Sequence, residues 1–272
     1  MSILSRDHAH VTTEGSAGSH HASTTPLLEA RPDSLADRLG DRWRDHSPIT
    51  ATSVVAITGL VVMAAVMVGL GLLLVHVLAP GGVGRWDASV NEWFVTQRTT
   101  TLNTVTRWGS DLGATLTIVG FALVAAVALA IARLSDAVRF LVISLVIEVS
   151  VFLISTVFVN RPRPDVPRLD VSPPTSSYPS GHTAAAIVLY VALALIVSSL
   201  TRSTFLRTVV WILAVALPIV VGLSRLYRGM HHPTDEVASL LLAMGALLLG
   251  LLAVRTGSAV AEHRRHVAAR DR

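Results

Sequence analysis

Six long apolar stretches are the feature of this sequence that most restricts its fold. A helix needs ~20 mostly apolar residues to cross a bilayer. Six stretches reach or approach that length, at 54–78, 114–132, 140–159, 183–200, 205–223 and 237–254. In addition, only 15% of the 272 residues are charged, against roughly 25% in soluble domains. The sequence therefore predicts an all-α polytopic membrane protein, with six transmembrane helices in a bundle.

The predicted transmembrane domain covers residues 48–256 and has a tail on each side. Ser, Thr, His and Gly dominate up to Thr25, so residues 1–47 are predicted to form a mostly disordered tail. Within this tail, Leu35, Leu39 and Trp43 recur at helical spacing among arginines. This pattern fits a short interfacial helix at 34–46, and a solvated linker fits equally well. Residues 257–272 form a basic C-terminal tail.

The distribution of arginine predicts how the bundle is oriented. All 22 basic side chains are arginines, and with six spans 14 of them lie in the two tails and the links on the same side. Because cytoplasmic segments carry the excess of positive charge, both termini are expected to be cytoplasmic. The links 79–113, 160–182 and 224–236 then face outward. The arginines form no basic cluster, so nucleic acid is not an expected partner.

Two of these outward links contain groups suited to binding an anion. Arg163 and Arg225 carry guanidinium groups that bind phosphate oxygens in pairs. Ser180 and Gly181 lie where the fourth span begins, and the N-terminus of a helix offers free N–H groups and a positive dipole end. Because both links lie on one face of the membrane, we expect these groups to converge on one site.

The same links contain groups suited to transferring a phosphoryl group. His231 and Asp235 are four residues apart, which on a helical turn places the carboxylate beside the imidazole. The carboxylate would hold one ring nitrogen and leave the other free as nucleophile or base. A second histidine, His182, could then protonate the leaving oxygen. Together these residues indicate a metal-free phosphoryl-transfer site.

The order and spacing of these groups resemble a known signature. Arg163-Pro164, Pro179-Ser180-Gly181-His182, and Ser224-Arg225 followed by His231 and Asp235 resemble the three motifs of the type 2 phosphatidic acid phosphatase superfamily. This superfamily includes lipid phosphate phosphatases, bacterial polyprenyl diphosphate phosphatases and the soluble vanadium haloperoxidases. The resemblance covers roughly residues 54–254.

The resemblance implies a role for each matching residue. His231 would be the nucleophile that forms a phosphohistidine, Asp235 would orient it, and His182 would be the general acid. The phosphoryl oxygens would be held by four groups: Arg163, Arg225, Ser180 and the Gly181 backbone. No metal or other cofactor would be needed. The implied substrate is an amphiphilic lipid phosphate or polyprenyl diphosphate, cleaved at the outer face of the cell membrane.

One position departs from the family pattern. The first motif usually begins with a lysine seven residues before the arginine of its Arg-Pro pair, and here that position is Thr156. A threonine hydroxyl can still donate a hydrogen bond to phosphate, but it carries no charge. The hypothesis is that Arg161 supplies the missing charge. Both Thr156 and Arg161 are therefore counted among the expected substrate-binding residues.

Two further interpretations of the sequence stay open at this stage. The protein could bind an anion or lipid without cleaving it, either as a transporter or as an inactive member of the family. Glu148 lies inside the third span, where a carboxyl group is costly and suggests function by default. Because it lies ~12 Å deeper than Thr156 at 1.5 Å per residue, it is interpreted as a structural acid.

Overall fold

The computed structural model describes residues 25–172 and 175–270, and this part of the chain contains helices and no strand. A single 3₁₀ turn, Pro26–Leu28, precedes the first helix. The α-helices are α1 (Leu35–Arg42), α2 (Pro48–Leu73), α3 (Gly82–Thr96), α4 (Thr100–Asp111), α5 (Thr115–Ile131), α6 (Ser135–Val159), α7 (Gly181–Leu200), α8 (Thr204–Tyr227) and α9 (Pro233–Arg270). The predicted fold class is confirmed.

Within residues 25–172 and 175–270, five helices are long and apolar enough to cross a membrane. They are α2 with the π-helical turn Leu74–Leu78 that extends it, α6, α7, α8 and α9. The sixth predicted span corresponds to α5, which meets α4 at a bend of 43°, and this pair qualifies when it is counted as one span. The chain is therefore a multi-pass membrane protein, and each apolar stretch of the sequence lies on one of these helices.

Small residues allow the spanning helices to pack closely around α9. The Cα of Gly71 on α2 lies so near α6 that a Cβ there would be 2.5 Å from Val159 Cγ2. Gly250 and Gly257 give α9 the same close approach to Ser144 and Thr52. Close backbone contact of this kind stabilises helix pairs in membranes, where lipid removes the hydrophobic drive for helices to associate. The outer faces of the bundle carry exposed aliphatic side chains, such as Leu116 and Leu248.

The link between the first and second spans is helical, although no helix was predicted there. It forms α3 and α4, which lie over the same end of the bundle as the links 160–180 and 228–232. Arg98, between the two helices, donates from Nη2 to the Tyr227 carbonyl at 3.0 Å. Three tryptophans of this segment are exposed: Trp86, Trp93 and Trp108. The polar faces of α3 and α4 turn instead toward the bundle.

The two tails differ in part from the sequence prediction. Disorder of residues 1–24 lies outside the described residues, whereas the chain from Thr25 onward is packed against the bundle. Arg255 donates to the Leu27 carbonyl at 2.9 Å, and Gly40 of α1 lies against Ala259 of α9. The C-terminal tail continues α9 as helix to Arg270. These contacts join the N-terminal segment to the end of α9, a long-range pairing that no local pattern encodes.

Candidate active site

A cavity of about 1040 Å³ opens at the end of the bundle that α3 and α4 cover. One end is lined by cationic and imidazole side chains, namely Arg163, Arg225, Arg228, His182 and His231. The walls then continue between α5 and α6 and are mostly aliphatic. The links 160–180 and 228–232 therefore do meet at one site, and that site adjoins a deep apolar space.

His231 lies at the polar end and is only 3% exposed. Its Nδ1 is 2.7 Å from the carbonyl oxygen of Ser177. Because a carbonyl only accepts hydrogen bonds, Nδ1 carries the proton and Nε2 of the neutral ring keeps its lone pair. Burial lowers the pKa of His231 to about 4, against the opposing effect of Asp235. The ring is thus neutral at neutral pH, as a nucleophile must be.

Asp235 is not the group that holds the His231 ring. Its Oδ2 lies 3.8 Å from His231 Nδ1, beyond hydrogen-bond length. The same oxygen accepts from the His232 backbone N–H at 2.8 Å. A backbone carbonyl therefore fixes the ring, while Asp235 acts on it through its charge. The spacing in the sequence predicted that the two side chains would lie close together. It did not predict that the Ser177 carbonyl would accept the hydrogen bond from His231.

Arg161 lies behind the cavity and does not line it. Its guanidinium is buried, 4% exposed, and binds two carboxylates, Asp235 through Nη1 and Asp87 of α3 through Nη2. Nη1 also donates to Thr234 Oγ1 at 2.7 Å. The expectation that Arg161 would contact phosphate is therefore corrected, since its charge is neutralised inside the protein. Arg161 instead positions the first turn of α9.

Thr156 and Ser180 also lie outside the cavity lining. The Thr156 hydroxyl donates to the Leu153 carbonyl one turn earlier in α6, at 2.8 Å. Ser180 is fully buried, and its hydroxyl bonds to that of Thr183 at 3.2 Å. The N–H of Ser180 donates to Ser239 Oγ. Both hydroxyl groups were expected to bind phosphate. Each instead has a hydrogen-bond partner within the protein.

Gly181 and His182 begin α7 and do face the cavity. The ring of Phe152 lies directly behind Gly181, so that a Cβ on this residue would be 2.9 Å from the ring carbons. A larger residue would therefore push the first turn of α7 away from α6. The glycine leaves the N–H groups of this turn accessible from the cavity, which is the arrangement that anions bind.

Two of the cavity arginines have unused donors. The Nε atoms of Arg163 and Arg225 are buried and have no hydrogen-bond partner among the described residues. Other nitrogens of the two groups have partners within the protein: Arg163 Nη1 donates to the Met230 carbonyl at 2.8 Å, and Arg225 Nη1 to Ser110 Oγ at 2.9 Å. Buried donors without partners are rare in native proteins and often indicate a missing ligand.

Asp170 balances part of the positive charge in the cavity. Its Oδ2 accepts from Arg228 Nε at 2.7 Å and lies 3.4 Å from Arg225 Nη1. Burial alone would raise the pKa of Asp170, but the hydrogen bond and charge of Arg228, with the charge of Arg225, lower it below its usual value. The carboxylate is therefore ionised at neutral pH and holds the two guanidinium groups in place.

Several residues of the site were not predicted from the sequence. They are Asp87, Ser110, Asp170, Ser177 and Arg228. Asp87 and Asn91 are four residues apart on α3 and both are buried, and this polar pair at helical spacing was the one available signal. The backbone carbonyl of Ser177 leaves no trace in a sequence, because every residue carries one.

The region that contains most of these site residues is similar to a known protein family. Residues 136–258 match the family model described as PAP2 superfamily. This part of the chain, just under half of its length, is similar to the PAP2 superfamily. This confirms the resemblance found in the motifs, since the matched region spans α6 to the middle of α9 and includes all of the expected site residues. Asp87 and Ser110 precede the matched region and are supplied to its site by α3 and α4.

One curated protein and one solved structure are also similar to this chain. Phosphatidylglycerophosphatase B of Bacillus subtilis (strain 168) is 34% identical over 96 residues, a match that spans 35% of this chain and only 43% of that protein. The crystal structure of a transmembrane PAP2-type phosphatidylglycerolphosphate phosphatase from Bacillus subtilis superposes with a TM-score of 0.57 at 22% identity. This superposition covers 76% of our chain and 94% of the other, and shows a shared fold.

Proposed function

We propose that this protein is an integral membrane phosphatase that hydrolyses a lipid phosphate or polyprenyl diphosphate ester through a phosphohistidine. The observation that carries the proposal is the cavity itself, where His231, His182 and three arginines lie at one end of an apolar space. Water-soluble phosphate esters would not need the aliphatic walls. A lipid substrate would place its phosphate at the arginines and its chains between α5 and α6.

In the proposed reaction, His231 Nε2 attacks phosphorus and forms an N–P bond. The P–O bond to the lipid breaks, and His182 gives its proton to the leaving oxygen. His182 must therefore start as the imidazolium. Water then attacks the phosphohistidine, gives its proton to His182 and releases inorganic phosphate, which restores the imidazolium of His182 and the neutral imidazole of His231. The hydrogen bond from Nδ1–H to Ser177 supports this order, because it directs the lone pair of Nε2 into the cavity.

The charge that develops on the phosphoryl oxygens would be stabilised by guanidinium groups. Preorganised donors of this kind are usually the largest contribution to catalysis. Arg163 and Arg225 each have an unused Nε–H, and the first turn of α7 adds backbone N–H groups. We therefore propose that turnover needs no metal ion.

The headgroup and the membrane face are parts of the same proposal. The relatives are described as phosphatases of phosphatidylglycerol phosphate, which makes this lipid the first substrate to test, before phosphatidic acid and polyprenyl diphosphate. The arginine distribution favours an extracytoplasmic site.

The deciding experiment measures phosphate release by the purified protein from these lipids in mixed micelles, with EDTA present. We expect release by the wild type, and a loss of at least about 10³-fold in His231→Ala, because a covalent nucleophile is removed. The neighbouring His232 does not line the cavity, so His232→Ala is the matched control and should retain most of the activity. Lipid binding without release would favour the non-cleaving alternative, and activity that disappears with EDTA would refute metal independence.

A further inference from the structure

Glu148 lies in the wall of the cavity, inside the membrane-spanning helix α6. It is 3% exposed, and no hydrogen bond or ion pair joins its carboxyl group to another residue in the part of the chain that the structure describes. The side chains beside it on the cavity face of α6 are aliphatic: Leu141, Val142, Leu145, Val146 and Val149. The protein itself therefore supplies this carboxyl group with no polar partner.

A carboxyl group in such a place is costly unless something binds it. Moving an unpaired polar group from water to apolar surroundings costs several kcal/mol of free energy. Moving an unpaired charge costs more. Without a cationic partner the group is neutral and carries one O–H donor and one C=O acceptor. Because Glu148 lines the cavity, both atoms are available to a ligand, which distinguishes it from Ser144 one turn away, whose buried hydroxyl lies against Gly250 of α9.

The height of Glu148 along the cavity indicates which part of a ligand it would meet. Phe152, four residues later on α6, lies against Gly181 at the level of the anion site. Glu148 is therefore ~6 Å deeper at 1.5 Å per residue. Leu145 and Leu141 lie deeper still on the same face. From the mouth inward, the cavity thus offers cations, one carboxyl group and then aliphatic walls.

This order matches the chemistry of a glycerolipid phosphate. In such a lipid the phosphate is followed, a few bonds along, by the ester carbonyls and then by the hydrocarbon chains. A polyprenyl diphosphate has no oxygen atom beyond its phosphates. We propose that Glu148 donates a hydrogen bond to an ester carbonyl of a diacylglycerol-type lipid phosphate, and so selects ester lipids. This inference rests on the proposed phosphatase function and specifies the substrate class of the same site.

The test compares ester and ether lipids of equal chain length. The kcat/KM for phosphate release is measured on a diacylglycerol phosphate and on its dialkyl ether analogue. The analogue has the same headgroup but lacks the ester carbonyls. One hydrogen bond contributes about 0.5–1.5 kcal/mol, so the wild type should prefer the ester ~2- to 13-fold. In Glu148→Leu the ester-to-ether ratio should fall to about one. Glu148→Gln retains a donor and should keep most of the preference.

The matched control is Ser144→Ala, which removes a buried polar group from the same helix but not from the cavity wall. Its ester-to-ether ratio should equal that of the wild type. A ratio that is the same in wild type and Glu148→Leu would overturn the inference, as would a wild-type enzyme that hydrolyses only polyprenyl diphosphate. Both results would leave the phosphatase proposal intact. Absence of phosphate release from every lipid would instead refute the proposed function.

Discussion

At the scale of single residues, the protonation state of His231 sets the acid limit of the proposed reaction. Burial lowers its pKa to about 4, below the value of ~6.5 for an unperturbed histidine. A depressed pKa means that the nucleophile stays neutral until the pH falls to that value. We therefore predict that kcat/KM shows no loss at pH 6.5 from this group and falls about tenfold per pH unit below 4.

The measurement is the pH dependence of phosphate release on two substrates whose phosphate groups have different pKa values. An inflection that moves with the substrate belongs to the substrate, whereas the inflection near 4 should stay in place. Return of the enzyme to neutral pH must restore activity, which separates titration from acid unfolding. An invariant inflection near 6.5 that is traced to His231 would contradict the buried, neutral imidazole.

The residues of the site also show what sequence spacing can and cannot establish. The motifs identified Arg163, Arg225, His182 and His231, and all four line the cavity. They did not show that Arg161, two residues before Arg163, turns the opposite way. That direction depends on Asp87, which lies 74 positions earlier and reaches Arg161 only because α3 folds over the bundle. Spacing places a residue in a link, but the direction of its side chain is decided by distant partners.

At the scale of elements, α3 does more than connect two spans, because its Asp87 side chain binds residues that position the site. Asp87 accepts from Arg161 Nη2 at 2.7 Å, and from the backbone and hydroxyl of Thr234 at 3.1 and 2.6 Å. Arg161 in turn binds Asp235. One carboxylate on α3 thereby fixes the start of α9, two residues after His232. The sequence did not predict this helix, because its mixed polar and aromatic composition has no long apolar run.

We predict that Asp87→Ala destabilises the protein and reduces turnover. The substitution leaves Arg161 paired with Asp235 alone and removes the buried acceptor of Arg161 Nη2 and of the Thr234 N–H and hydroxyl, which costs about 1–3 kcal/mol for each donor left without a partner. Asp235 and the adjacent His231 would lose their fixed geometry, so kcat should fall more than KM rises. Thermal unfolding in detergent micelles and steady-state kinetics measure the two effects. Since Asp87 does not line the cavity, it acts as a positioning residue.

Glu92 provides the control for this prediction. It lies on the same helix, is exposed, and has no hydrogen bond or ion pair to another of the described residues. Glu92→Ala should change stability by no more than about 0.5 kcal/mol and leave kcat unchanged. Equal stability of the Asp87→Ala and Glu92→Ala proteins would show that the contacts of Asp87 with Arg161 and Thr234 contribute nothing to the free energy of unfolding.

At the scale of the whole molecule, the bundle places a charged site at one membrane face and extends it into the apolar interior. Apolar length alone was sufficient to predict five spanning helices among the described residues, and a sixth when α4 and α5 are counted as one span, since bilayer thickness imposes this length. It could not predict the cavity between α5 and α6, because aliphatic residues that face lipid and those that line a cavity look alike in sequence. The orientation of the bundle in the membrane rests on arginine counting, and one experiment can decide it.

The absence of cysteine from the chain makes any introduced thiol a unique reporter of sidedness. Gln97 is exposed beside Arg98, which bonds to the Tyr227 carbonyl at the site end of the bundle. Arg202 is exposed in the link between α7 and α8, one full span away. We predict that a membrane-impermeant maleimide labels Gln97→Cys in intact cells and Arg202→Cys only after lysis, because the arginine-rich links stay cytoplasmic. The reverse pattern would place the phosphate-binding end inside the cell, where the substrate would have to come from the inner leaflet.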